Sequence, residues 1–301
     1  SGRYDKNENF KGRFTPRITA VIKAKENNNF RLSYQTAYRF PSTQQQWIDL
    51  DLFSYKLIGG NKSFVSKYHF DTNPAYYRDS LQNGVVKQWD YPLQKPESLT
   101  SFEVGYRGLL LDQKLMIDAY GYWGFYQDFT GRISVIQSKS GSGIPDLNTD
   151  QVYSVPINYH DNINTNGFGI GVDYRLPRNF SVSANFSSDN LDVPAGLTAN
   201  FNTPKYRLNL GVANSSFGKD KRAGFAINYR WQDGFYFEGD LANGDLPAFQ
   251  TLDAQVSYKF PKTKSILKLG ATNLLNEYYY NAIGNSYVGG LYYISFGYNL
   301  Y

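Results

Sequence analysis

A two-residue meter constrains this chain more than any other feature. Between residues 30 and 40, Phe30, Leu32, Tyr34, Thr36, Tyr38 and Phe40 hold one parity. Arg31, Ser33, Gln35, Ala37 and Arg39 hold the other. Successive side chains of a strand point to opposite faces, so the segment has one aromatic and aliphatic face and one polar, charged face. The pattern returns at Phe102–Tyr106, Leu115–Phe125, Phe168–Tyr174, Phe180–Phe186, Tyr206–Val212, Phe225–Trp231, Leu252–Phe260, Leu267–Ala271 and Tyr292–Leu300, with a weaker member at Ile18–Ile22. These make eleven expected strands. The only helical signal is a short one near Gln44–Asp51.

The connections have a rhythm of their own. Short polar turns fall at Glu26–Asn29, Asp112–Gln113, Pro177–Asn179, Ser215–Asp220 and Pro261–Ser265. Between them lie the longer stretches 41–96, 131–162, 187–203, 232–248 and 274–290. Tight turns at one end and long loops at the other are the layout of an outer-membrane barrel, with the turns periplasmic and the loops outside. Tilted strands of about ten residues cross its apolar band. Soluble sandwiches and propellers also alternate, but their strands run to about five or six residues and their loops keep no such rhythm. The expected class is all-β, a transmembrane antiparallel up-and-down β-barrel in the outer-membrane lipid.

Composition narrows the alternatives. There is no cysteine, His appears twice and Met once, which leaves no disulfide scaffold and no cysteine-ligated metal site. Aromatics make up 17% of the chain, far from the composition of a disordered one. The formal net charge of +5 is spread along the sequence rather than clustered, so no nucleic-acid partner is expected. Eleven is odd, whereas single-chain bacterial barrels have even strand numbers. Residues 1–11 then begin in an outside loop, and residues 1–301 are expected to be a portion of a larger barrel.

Several segments are similar to the C-terminal half of TonB-dependent outer-membrane receptors of the Bacteroidetes type. They are Phe30–Ser42, Leu93–Arg107, Phe201–Lys205, Leu252–Tyr258, Leu267–Asn276 and the closing strand Gly290–Leu300. The resemblance implies a barrel of 22 strands around a plugged lumen, about eleven of them here. The plug domain and the first barrel half lie outside this sequence. It further implies import of a scarce solute energised through TonB, which an absent N-terminal segment contacts, and in some relatives a surface lipoprotein lid. Neither catalysis nor a cofactor is implied. A self-contained porin or adhesin, or a receptor-like barrel serving as a structural subunit, are the alternatives. Family strands usually end in an aromatic at the outward slot. Here parity puts Leu300 there, with Tyr301 one residue beyond.

Candidate site residues follow from position. In the 41–96 stretch, Trp47, Tyr76, Tyr77, Trp89 and Tyr91 offer flat contact surfaces for a ligand, or pack the loop against itself. Arg31, Arg39, Glu103, Arg107, Asp118, Arg175, Arg207 and Arg230 have the polar parity and are expected to face the lumen and pair there, because charges are costly on a lipid face. His160-Asp161 is the one adjacent pair with catalytic chemistry, yet no nucleophile motif supports it, and a plain loop reading is preferred. His69 has no ligand partner at metal-site spacing. Gly167-Phe-Gly-Ile-Gly171 mimics a dinucleotide fingerprint but continues as a strand, so its glycines are read as small lumen-facing positions.

Overall fold

The computed structural model describes residues 1–141, 143–239 and 242–298. Twelve strands form one antiparallel sheet in which every neighbour in space is the neighbour in sequence. They are β1 (Gly2–Asn7), β2 (Phe10–Lys25), β3 (Asn28–Arg39), β4 (Glu97–Leu110), β5 (Leu115–Gln127) and β6 (Ile163–Leu176), then β7 (Phe180–Leu191), β8 (Tyr206–Phe217), β9 (Ala223–Gln232), β10 (Phe249–Phe260), β11 (Ser265–Thr272) and β12 (Leu291–Tyr298).

The cross-strand register explains the meter. One row runs through Ile117, Val172, Ala184, Leu210, Tyr229 and Leu252, each directly opposite the next from β5 to β10. The adjacent row runs through Asp118, Gly171, Asn185, Asn209, Arg230 and Thr251. A slip of one residue at any pairing would exchange the two faces. None occurs along these rows; the one-residue irregularities fall at strand ends, between Asp5 and Asn7, between Lys23 and Lys25 and between Asn214 and Phe217, so the body of the sheet has one continuous apolar face and one continuous polar face. The apolar face is uncovered: Ile18 is 66% exposed, Val256 56% and Ile294 71%. A sheet in water would bury such a surface. The fully buried large side chains sit elsewhere: Leu57, Ile58, Val135, Ile136 and Val155 all belong to the long connections, Ile163 alone to the sheet.

Three sequence expectations are corrected. Residues 1–11 are not a loop: β1 pairs with Phe10–Pro16 of β2, and β3 takes over from Arg17. The count of eleven therefore becomes twelve among the described residues. A polar segment such as GRYDKN shows no meter, and a hairpin turn at Asn7–Phe10 makes it a strand. The 41–96 and 131–162 stretches are not simple loops either. Together they form a second, six-stranded sheet of short pieces, in the order 49–51, 56–58, 151–159, 129–137, 75–77 and 88–89. The short helix is Thr43–Trp47, closed by a capping box at Ser42 and Gln45, and two more follow at Ser63–Lys67 and Arg78–Gln82. The sheet is open among the described residues, with β1 and β12 at its edges. Leu300 and Tyr301 lie outside the described residues. No described helix is long and apolar enough to cross a membrane.

The glycines at 167 and 169 have a definite use. A Cβ on Gly167 would lie 2.6 Å from the Tyr122 ring, and one on Gly169 would lie 2.6 Å from the Tyr120 ring. These rings of β5 lie across the bare backbone of β6, so the room goes to a neighbouring strand.

The two faces make a test. Leu210→Arg puts a cation on the apolar face and is expected to cost about 2–4 kcal/mol in a bilayer. Asn209→Arg, one residue away on the polar face, is expected to cost under about 1 kcal/mol. Urea titration of folding into phospholipid vesicles separates them, and equal losses would refute the assignment of faces.

Candidate functional site

The long connections hold the larger of two buried hydrophobic clusters in the described residues, and aromatics meet at its centre. Phe70 meets Trp89 edge-on at 5.5 Å and Tyr153 at 5.2 Å, with Ile58, Val135 and Val155 beneath. Full burial of such side chains contributes roughly 1.5–3 kcal/mol each. Arg132, nearly buried, ties the pieces together. Its Nη2 donates to the Ile58 carbonyl at 2.8 Å and to the Ser154 carbonyl at 2.6 Å, and its Nε donates to Ser154 Oγ at 3.0 Å. Gln137 Nε2 donates to the carbonyls of Tyr68 and Asn73, and Asn73 Nδ2 donates back to Ser138. All of these bonds but the two to Ser154 join segments more than sixty residues apart, and together they make one platform.

The platform decides the five aromatic candidates. Trp89, 3% exposed, belongs to the core and offers no contact face. Tyr91 is held inside, its hydroxyl donating to the Gly59 carbonyl at 2.6 Å and to that of Asn61 at 3.1 Å, and burial pushes its phenol above the usual range. Trp47, 53% exposed, ends its helix at the surface. Tyr76 and Tyr77 are half-buried, and the Lys87 ammonium stands 4.8 Å above the Tyr77 ring. Composition marked all five alike, because a side chain's depth depends on pairings between strands of two or three residues.

A groove of about 590 Å³ opens between the platform and the 192–205 connection. Tyr77, Ile133, Ile157 and Leu197 give it apolar walls. Asp79, Asp90 and Asp161 stand against Lys87, Lys95 and His160 at its polar margin. This is a surface for a small solute carrying both flat and charged parts. His160 and Asp161 thus do share a pocket, which the sequence reading had not placed them in. Among the described residues no group of three His, Cys, Asp or Glu could hold a metal ion.

The charged candidates of the meter stand on the polar face, and most are paired across strands. Arg31 meets Glu103 at 2.5 Å, Arg39 meets Glu97 at 2.9 Å, Arg107 meets Asp118 at 3.9 Å and Arg230 meets Asp253 at 2.7 Å. Asp189 bridges three strands, pairing with Arg207 and accepting from Tyr122 Oη at 2.5 Å. Arg175, beside the 177–179 turn, has no ion pair among the described residues. The carboxylates Glu97, Asp189 and Asp253 were not marked by sequence, because register and not spacing brings them to their arginines. The solvent-facing pairs among these contribute at most about 1 kcal/mol each and so keep charge balanced rather than hold the wall together, whereas Glu97 is buried and also accepts from the Thr130 N–H.

Asp49 latches the platform's edge, accepting from Tyr68 Oη at 2.5 Å and from Lys67. Partial burial raises its carboxyl, but these two donors outweigh burial and hold it below the usual carboxylate range. A depressed folded pKa gives stability that is present above the unfolded value, near 4, and lost as pH falls through the folded value. Protease cleavage within 49–68 is therefore expected to rise only below about pH 4, and Asp49→Asn is expected to show that elevated cleavage already at neutral pH. Arg132→Met is expected to destabilise the platform by about 2–3 kcal/mol. It should raise cleavage across 56–58 and 129–159 while the sheet keeps its β-rich circular dichroism.

A family model described as TonB dependent receptor-like, beta-barrel matches residues 1–274. Comparison with curated proteins gives no match. Among solved structures, the chain is similar to FpvA of P. aeruginosa bound to heterologous pyoverdines, with 14% identity, a TM-score of 0.59, and 96% of this chain and 34% of that one covered. The ferric-catecholate import receptor Fiu from E. coli K12 shares 12% identity at a TM-score of 0.61, with 95% and 35% covered. The copper transporter OprC shares 17% at 0.60, with 95% and 40% covered. At these identities the likeness is one of fold, and the chain spans little more than a third of each structure.

Proposed function

The chain belongs to the TonB-dependent receptor-like β-barrel family, whose members lie in the outer membrane, and we propose that it forms the C-terminal wall of a transporter for a scarce solute. The observation that carries this reading is the family match over residues 1–274, on a sheet whose apolar face is bare along its whole width. In this reading the open edges of β1 and β12 meet further strands of a closed barrel of about 22, with a plug inside. TonB engages a segment outside this sequence and draws on the plug. A surface lipoprotein over the long loops is a further partner of this kind.

The chain itself supplies binding and position, not catalysis. The groove beside Tyr77 would take the solute from outside, with Trp47 and Tyr76 as additional contact faces. Lys87 and Lys95 would hold an anionic part, and the Tyr77 ring a flat part. The self-paired polar face would leave the lumen charge-balanced against a plug. The structurally similar receptors are described with ferric pyoverdine, ferric catecholate and copper, which makes a metal-bearing small solute the first class to examine.

Uptake of radiolabelled ferric citrate, a ferric catecholate and copper is measured in cells with and without the gene. One of these is expected to accumulate only with the gene, and only while the proton gradient is intact. Tyr77→Ala with Lys87→Gln is expected to weaken its apparent affinity about tenfold, or roughly 1.4 kcal/mol, at unchanged receptor level. Uptake that survives collapse of the gradient would favour a pore. Unchanged uptake with a lost surface complex would favour a structural subunit.

A further inference from the structure

The basic residues are spread along the sequence but gathered in space. The five turns between strands, 26–27, 111–114, 177–179, 218–222 and 261–264, each with two flanking residues on either side, carry ten Lys and Arg against three carboxylates, Glu26, Asp112 and Asp220. That is a surplus of seven cations at one rim, in a chain whose formal surplus is five. The turn at 218–222 alone holds Lys219, Lys221 and Arg222, and the turn at 261–264 holds Lys262 and Lys264. The polar face offers the contrast. There Arg31, Arg39, Arg107, Arg207 and Arg230 all have carboxylate partners. Among the described residues none of the ten rim cations is in an ion pair. All but Lys259 are exposed, and Lys259 Nζ donates to the Ser215 carbonyl at 3.3 Å.

The depth of this ring is marked by its neighbours. Phe180, Phe217 and Phe225 meet edge-on at 6.3 and 5.8 Å just inside the turns, and Tyr258 meets Phe260 at 5.1 Å. Aromatic girdles of this kind lie at the level of lipid headgroups. The seven cations in the turns themselves stand one step beyond it, where long basic side chains extend into the headgroup layer, while Lys25, Arg175 and Lys259 belong to the strand ends. Short turns of outer-membrane barrels face the periplasm, and the leaflet there is glycerophospholipid.

We propose that the short-turn rim is a basic collar that binds the anionic headgroups of glycerophospholipids, of the phosphatidylglycerol class, in the periplasmic leaflet. The reading rests on the membrane orientation above but not on any transported solute. A rim of unpaired cations attracts anionic lipid in proportion to its charge, and the attraction weakens with salt. The collar selects lipid without a pocket, and it fixes the wall's depth from one side.

The full receptor, purified from outer membranes, is incorporated into phosphatidylcholine bilayers containing spin-labelled phosphatidylglycerol or spin-labelled phosphatidylcholine. The motionally restricted lipid is counted by electron paramagnetic resonance. Phosphatidylglycerol is expected to be favoured about fivefold or more, falling towards parity at high salt. Replacing Lys219, Lys221, Arg222, Lys262 and Lys264 by Gln is expected to abolish the preference. Replacing Lys6, Lys11 and Lys62 on the loop side is expected to leave it intact. Equal restriction of the two lipids in the wild type would overturn the proposal without need of any variant. So would a preference that persists in the Gln variant. Displacement by lipopolysaccharide at lower concentration than by unlabelled phosphatidylglycerol would also overturn it, by assigning the collar to the other leaflet's phosphates. Because this measurement contains no solute and no energy source, its failure leaves the transport reading untouched, and the reverse holds as well.

Discussion

Everything in this wall follows from the fact that a strand in hydrocarbon has no water to bond to. Each backbone N–H and C=O must find a partner on the next strand. The partnership must also keep parity, because one slipped pairing would turn a row of arginines toward lipid. The twelve strands meet both demands in the simplest way, each pairing with its neighbours in the chain. The polar groups that cannot face lipid then share one side. There, cross-strand carboxylates such as Glu103, Asp118 and Asp253 neutralise the arginines.

The wall was legible in sequence because period two is a local signal. Phe30 to Phe40 states its two faces without reference to any other segment. What escaped was structure whose signal is not local. The 129–137 strand reads FTGRISVIQ and is buried or half-buried on both faces, so no alternation marks it. The pieces at 49–51, 56–58 and 75–77 of the same sheet are three residues long, too short for an alternation to repeat. The first strand escaped for the opposite reason: its residues are polar, and a hairpin holds it in place.

Site residues divide in the same way. The polar parity of Arg31 and Arg207 could be read directly, whereas which carboxylate each one meets required the register. The aromatics of the 41–96 stretch could be read only as a population. Folding divides them between a core, where Trp89 and Tyr91 lie, and a groove margin, where Tyr77 lies. The placing of charge follows the same rule. Lysines that look scattered over 240 residues are brought to one rim because every second connection is short.

The platform also bears on how such a protein can change over generations. Arg132 reaches from one long connection to the Ile58 carbonyl of the other, and Asn73 reaches back to Ser138. Neither connection has a complete interior alone. Exchange of the 41–96 stretch between relatives by recombination would therefore bring half a core into a stranger's other half. The unit of inheritance for new ligand preference is the pair of connections together. The strands between them, β4 and β5, are carried along as passengers.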